Sequence, residues 1–175
     1  MSRSEAVNFD GLMLAESRER ISLQGRDQFR QASEAMVRQA KRTLDIFTYD
    51  LDKPVFDQGD FLEAVKQLAL TCRGMGIRIL LQDSERARRE GHRLVDLSRR
   101  ITSKIEIRRP HEDYIDHPEN FIIVDRIGYI RRRNTGLYEG EANFCHPMEA
   151  RLLTDFFSEV WERSEQESSL RRLHL

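Results

Sequence analysis

The sequence predicts an α/β fold, a mixed sheet flanked by helices. Three observations predict it. Stretches of helical period alternate with short β-branched runs, the runs are apolar enough for internal strands, and two of them near the C-terminal end are close enough to pair as a hairpin. At 175 residues the chain suits one domain with a single core.

The elements follow in order. Residues 1–20 mix charges with the apolar patch Phe9, Leu12, Met13 and Leu14 and end in "ESRER", which reads as an N-terminal arm. In "RDQFRQASEAMVRQAKRTL" the residues Phe29, Ala32, Met36, Val37 and Ala40 recur at three and four, one buried helix stripe. "LDIFTYDL" switches to strand character, and Asp50, Asp52, Pro54, Asp57 and Gly59 make the loop after it. A second helix is expected from Asp60, with Glu63 completing a capping box, and Gly74 is placed to end it. "GIRILLQD" is the next strand, Gly91 to Arg100 the next helix and "KIEIRR" an alternating strand. After the loop "PHEDYIDHPE" come "NFIIVD" and a hairpin through Arg126 to Gly128 into "YIRRR". The helix "PMEARLLTDFFSEVWERS" is expected to place Leu152, Leu153, Phe156, Phe157, Val160 and Trp161 toward the core. Residues 165–175 form a tail that keeps Leu170, Leu173 and Leu175. The domain proper is thus residues 21–164.

Composition narrows the function. Hydrophobic residues make up 39% and charged residues 34%, enough apolar content to fold. Net charge is −1, so no global field draws the chain to nucleic acid or an anionic membrane, and such binding needs a local patch. Cys72 and Cys145 are far apart and lack zinc spacing, which reads as two buried thiols. No apolar run approaches the roughly 20 residues of a spanning helix, and the N-terminus has no secretory pattern; a cytoplasmic protein without a membrane partner is expected. The loop residues His111, Glu112, Asp113, Asp116, His117 and Glu119 are all metal-ligand types, but their spacing fits no metal motif. The reading is a solvated loop, with neither metal nor other cofactor.

"TLDIFTYDL", the Gly-led "RGMGIRILLQD", "NFIIVD" and "GEANF", together with the Trp-bearing last helix, resemble one half-unit of the phospholipase D superfamily over residues 21–164. That family's signature is His-x-Lys-x4-Asp followed by Gly-Ser-x-Asn. The resemblance places Asp125 at the aspartate, Asn120 at the lysine and Pro118 at the histidine. Glu141 then stands at the serine and Asn143 at the asparagine, after a longer spacing than usual. In the family the histidine attacks phosphorus and the lysine stabilises phosphoryl oxygens, so the substitutions imply a catalytically inactive relative with a degenerate signature. The family builds one site from two half-units, which implies a two-fold homodimer here.

The leading expectation is an inactive phospholipase D-like protein that binds a phosphate-bearing ligand, a nucleic acid or a protein partner. Arg131 and Arg133 share a face with Tyr129 if "YIRRR" is a strand, and with Asn120 and Asn143 they are the candidate ligand-binding residues. The alternative is a homodimeric phosphodiesterase or nuclease using His117 as a displaced nucleophile with Asp125. On a regular strand a one-residue shift turns the side chain to the other face, and Pro118 leaves room for the bulge that would undo this. A third reading is a protein-interaction module contacting partners through the arm and the tail.

Overall fold

A computed structural model describes residues 6–170. Residues 1–5 of the arm and Leu173 and Leu175 of the tail lie outside the described residues. The elements in chain order are β1 (Ile21–Gln24), α1 (Arg26–Arg38), β2 (Leu44–Thr48), α2 (Lys53–Phe56) and α3 (Gly59–Thr71). They continue with β3 (Ile77–Leu81), α4 (Glu85–Glu90), α5 (Arg93–Arg100), β4 (Ile105–Arg109), β5 (Asn120–Val124), β6 (Gly128–Arg132), β7 (Glu139–Asn143), α6 (Pro147–Glu162) and β8 (Glu165–Gln166).

The strands form one sheet in the order β1-β7-β6-β5-β2-β3-β4-β8. Only β2, β3 and β4 run parallel, joined by helical crossovers, while the remaining neighbours are antiparallel. Alternation sorts the central strands onto two faces. Ile46, Ile79, Ile122 and Ile130 pack with α1, α3 and α5 in the larger core. Phe47, Leu80, Phe121, Ile123 and Tyr129 point the other way, beneath Ala150, Leu153, Phe157, Val160 and Trp161 of α6. Among the described residues α6 is the only helix in that second core.

Charges also line up on the second face, against the C-terminal half of α6. Asp45, Arg78 and Glu106 are register neighbours on β2, β3 and β4. Arg78 donates to both Asp45 oxygens at 2.8 and 2.9 Å and lies over the Phe157 ring at 4.9 Å. Burial lifts the Asp45 carboxyl above its usual range despite the guanidinium against it.

Several details depart from the sequence-based expectation. α3 begins at Gly59 with Gln58 as N-cap and makes no side-chain cap hydrogen bond, so the Asp60–Glu63 capping box does not form. Leu152 faces solvent at 61% exposure instead of the core, because α6 buries Leu153 and Phe157 a turn apart. The arm docks: Phe9 and Leu12 are buried in the larger core, and Gln39 on α1's C-terminal side accepts from Leu14 N–H and donates to Leu12 C=O. β7 is a full strand although "EGEAN" has little strand propensity, since β1 and β6 both pair with it. Gly140 permits this, because a Cβ there would overlap the Arg131 carbonyl.

Candidate functional site

The β5–β6 hairpin turns on Asp125 and Arg126, both with positive φ (52° and 58°), closed by Ile127 N–H donating to Val124 C=O at 3.0 Å. Two left-handed residues are what a tight turn between twisted strands requires. Aspartate is among the residues that tolerate that conformation, and here its carboxylate is anchored by a segment remote in sequence. It accepts from Lys41 N–H at 2.9 Å, Arg42 N–H at 2.7 Å and Thr43 N–H at 2.9 Å. The aspartate thus ties the hairpin to the segment that enters β2.

His117 lies at the other end of β5, in the loop that precedes it. The five residues of β5, roughly 16 Å at the usual rise per strand residue, separate it from Asp125, so the two candidate catalytic residues do not meet. The imidazole packs between Phe47 (5.2 Å between centroids) and Phe156 (4.8 Å). Its Nε2 is buried without a hydrogen-bond partner, and the nearest carboxylate, Glu119, stands 4.0 Å away. Burial holds the His117 pKa below its ordinary value; Glu119 opposes that shift and Arg131 reinforces it.

Asn120 begins β5 on the α1 face, and its Oδ1 accepts from Tyr49 N–H at 3.1 Å. It also lines a cavity of about 30 Å³ with Phe29, Asp52 and Arg132. Asn143 is wholly engaged in backbone contacts, donating to Arg18 C=O at 3.2 Å and accepting from Cys145 N–H at 3.0 Å.

Arg131 and Arg133 share the Tyr129 face, and both meet carboxylates there. Arg131 donates to the two Glu119 oxygens at 3.1 and 3.0 Å and to Glu149 at 2.8 Å. Glu141, buried, takes Arg20 at 2.5 Å, Arg133 at 3.6 Å and the Tyr129 hydroxyl at 3.3 Å. Burial, then Glu141, pushes the Tyr129 phenol up to about 12. Three guanidinium groups and three carboxylates cancel on this face. A ligand phosphate here must displace a carboxylate from Arg131, whose Nε, Nη1 and Nη2 are all taken.

Arg132, on the opposite face, was not singled out from the sequence. It donates to Asp52 at 3.2 Å, lies over the Tyr138 ring at 4.3 Å and binds the carbonyls of Asn134 and Thr135. Tyr138 donates to the second Asp52 oxygen at 2.8 Å. Period-two alternation was the available signal: Arg132 follows Ile130 onto the larger core. Glu119, Glu141 and Glu149 were equally unmarked as the groups that meet the arginines.

In the loop before β5, Asp113 pairs with Arg163 at 2.7 Å. Among the described residues no three His, Cys, Asp or Glu side chains are grouped so as to hold a metal ion. No helix of the described residues is long and apolar enough to cross a membrane.

A family model described as a domain of unknown function, DUF7931, matches residues 25–173. The chain belongs to that family. No curated protein sequence matches it. Among solved structures, the DUF7931 chain is similar to TrmBL2, an archaeal chromatin protein with a novel mode of DNA binding. The TM-score is 0.59 at 16% identity over 86% of this chain, which spans only 55% of that protein. Nuc, a phospholipase D family member from Salmonella typhimurium, matches with TM-score 0.56 and 16% identity, over 85% of this chain and 98% of its own. NucT from Helicobacter pylori matches with TM-score 0.57 and 9% identity, again over 85% and 98%. The fold is therefore the phospholipase D-like α/β architecture, a mixed sheet flanked by helices.

Proposed function

We propose that the chain is a phospholipase D-like domain without phosphodiesterase chemistry that binds a phosphate-bearing ligand, nucleic acid being the favoured form. One observation carries the loss of chemistry: Asp125 spends its carboxylate on three backbone amides at the far end of β5 from His117. The positions that the resemblance assigns to histidine and lysine hold Pro118, with no nucleophile, and Asn120, which serves the Tyr49 amide. The likeness to an archaeal chromatin protein that binds DNA supports binding as the retained function. The same proposal makes the domain a cytoplasmic two-fold homodimer; its two cysteines are free thiols, which fits a reducing compartment.

The test incubates purified protein with EDTA, a chromogenic phosphodiester and labelled single-stranded DNA, following hydrolysis and fluorescence anisotropy in parallel. The expected result is no turnover together with DNA binding that weakens as salt rises. One observation favours a second reading, in which His117 is a nucleophile: burial favours its neutral imidazole, and its Nε2 has no hydrogen-bond partner. Turnover that vanishes in His117→Ala would establish that enzyme and overturn the first reading. Light scattering of the eluting protein tests the dimer.

A further inference from the structure

A crevice of about 440 Å³ opens where the parallel strands end. Tyr49 follows β2, Gln82 follows β3, Arg109 closes β4, and Asp116 lies in the loop that leads on to β5. Open α/β sheets bind ligands in the crevice beyond the carboxyl ends of their strands, and this volume is that of a small-molecule site. None of the signature positions considered above lines it.

Its charges differ from those around Arg131 in being available. Arg88 and Arg109 both line the crevice, and neither guanidinium has a carboxylate or hydrogen-bond partner among the described residues. Three of the four carboxylates along the walls are already engaged. Asp83 accepts from Glu85 N–H at 2.9 Å and from the Tyr49 hydroxyl at 3.4 Å, Ser169 donates to Glu167, and Glu85 faces Arg89 at 4.0 Å. Asp116 remains exposed and unpaired among the described residues, close enough to Tyr49 to help raise its phenol, after Asp83. Asp83 and Glu167 are bonded by neutral donors and keep their charge, so the two free guanidinium groups stand among three carboxylates without a cation, of which Asp116 alone also lacks a donor, beside Tyr49 at 43% exposure.

Gln82 adds an independent observation. It is 5% exposed, and its amide nitrogen donates to the carbonyls of Tyr114, Ile115 and His117 at 3.2, 2.9 and 2.9 Å. Those three bonds fix the amide, leaving Oε1 a buried acceptor with no donor in a residue that lines the crevice. Such orphans are rare in folded proteins. The crevice thus offers places for an anion and an aromatic ring, with the exposed Asp116 carboxylate as an acceptor and the Gln82 acceptor buried behind its wall.

We propose that this crevice binds a nucleotide, free or as the phosphorylated end of a single strand, with its phosphate on Arg88 and Arg109 and its base against Tyr49 with a donor edge on Asp116. Guanidinium groups suit phosphate oxygens, an exposed aromatic ring stacks on a base, and a carboxylate accepts from the base's N–H groups. The proposal rests on the phosphate-binding reading and gives it a place and a ligand class.

The test is calorimetric titration of the full chain with GMP, ribose 5-phosphate and inorganic phosphate, and with one oligonucleotide carrying either a 5′-phosphate or a 5′-hydroxyl. GMP is expected to bind at least about tenfold more tightly than ribose 5-phosphate, given what base stacking contributes. Arg88→Ala/Arg109→Ala is expected to weaken both, and Asp116→Asn to weaken GMP alone. If the 5′-phosphate strengthens oligonucleotide binding, a strand end is a ligand; if it does not while GMP binds, the free nucleotide is. Equal affinity for GMP and inorganic phosphate would overturn the nucleotide assignment, leaving a simple anion site. Binding that survives the double arginine variant unchanged would overturn the crevice while phosphate binding stands, and its loss in Arg131→Ala/Arg133→Ala would locate that binding beside Tyr129. If neither GMP nor oligonucleotide binds the unmodified chain, both readings fall.

Discussion

The two ends of the sheet's polar chemistry treat arginine in opposite ways. Beside Tyr129, Arg131, Arg133 and Arg20 are matched by Glu119, Glu149 and Glu141, so every guanidinium there faces a carboxylate. At the ends of the parallel strands, Arg88 and Arg109 stand without partners next to an unpaired Asp116. The basic run "YIRRR" draws the eye in the sequence, yet it is the neutralised one. A cluster of arginines indicates a ligand only when no carboxylate lies in register with it.

That contrast can be broken most forcefully inside the hairpin. Arg132→Met leaves Asp52 buried with only the Tyr138 hydroxyl and no cation and is expected to cost about 3 kcal/mol, as loss of one partner of a buried pair does. Urea unfolding followed by circular dichroism reads it, and Asp52→Asn in the same chain should restore part of the loss. A change below about 1 kcal/mol would mean that the pair is wet and that the hairpin is no more rigid than the crevice.

Asp125→Ala comes next, at about 2 kcal/mol, because three backbone donors lose a charged acceptor. Asp125→Asn, which keeps one acceptor oxygen, should cost less. Equal losses would show that the turn conformation, and not the carboxylate, is what matters.

The pH dependence is smaller and has a definite sign. His92 and His117 are both held below the ordinary histidine value of 6.5, chiefly by burial. The unfolded chain therefore binds protons first, so stability is complete above about pH 6.5 and is lost as pH falls through the lowered folded values. Unfolding midpoints at pH 7.5 and 5.5 should differ in that direction, and His117→Phe should flatten the slope. A midpoint that rises on acidification would place His117 in a salt bridge with Glu119.

The smallest effect sharpens the comparison from the other side. Arg88→Ala and Arg109→Ala should each leave stability within about 0.5 kcal/mol of the unmodified chain, as changes at unpartnered surface positions do. A larger loss would make these arginines structural after all and erase the distinction.

Much of the architecture was legible because the signal was local. Phe29, Met36 and Val37 repeat at helical spacing, and "NFIIVD" with "YIRRR" announced a hairpin through Arg126 to Gly128, whose turn in fact starts one residue earlier, on Asp125, with Gly128 already in β6. β1 was not legible, because it becomes a strand only by pairing with β7 across more than a hundred residues, and β7 was not, because "EGEAN" has little strand propensity of its own. The site was less readable for the same reason. Alternation put Arg131 and Arg133 beside Tyr129, but no spacing rule brings Glu149 from α6 to Arg131 or Asp52 to Arg132. The crevice was invisible in the sequence, since its residues come from the ends of three strands, α4, the loop before β5 and the stretch after β8.

The Asp125 carboxylate also has a kinetic side. It holds amides 82 to 84 positions away in the chain, between a helix and a strand, where no regular ladder protects them. Lys41, Arg42 and Thr43 should therefore exchange their amide protons with deuterium as slowly as strand residues do, and should all become protected in one step as β2 docks against the finished hairpin. These three amides are a built-in clock for sheet closure, readable residue by residue without any label.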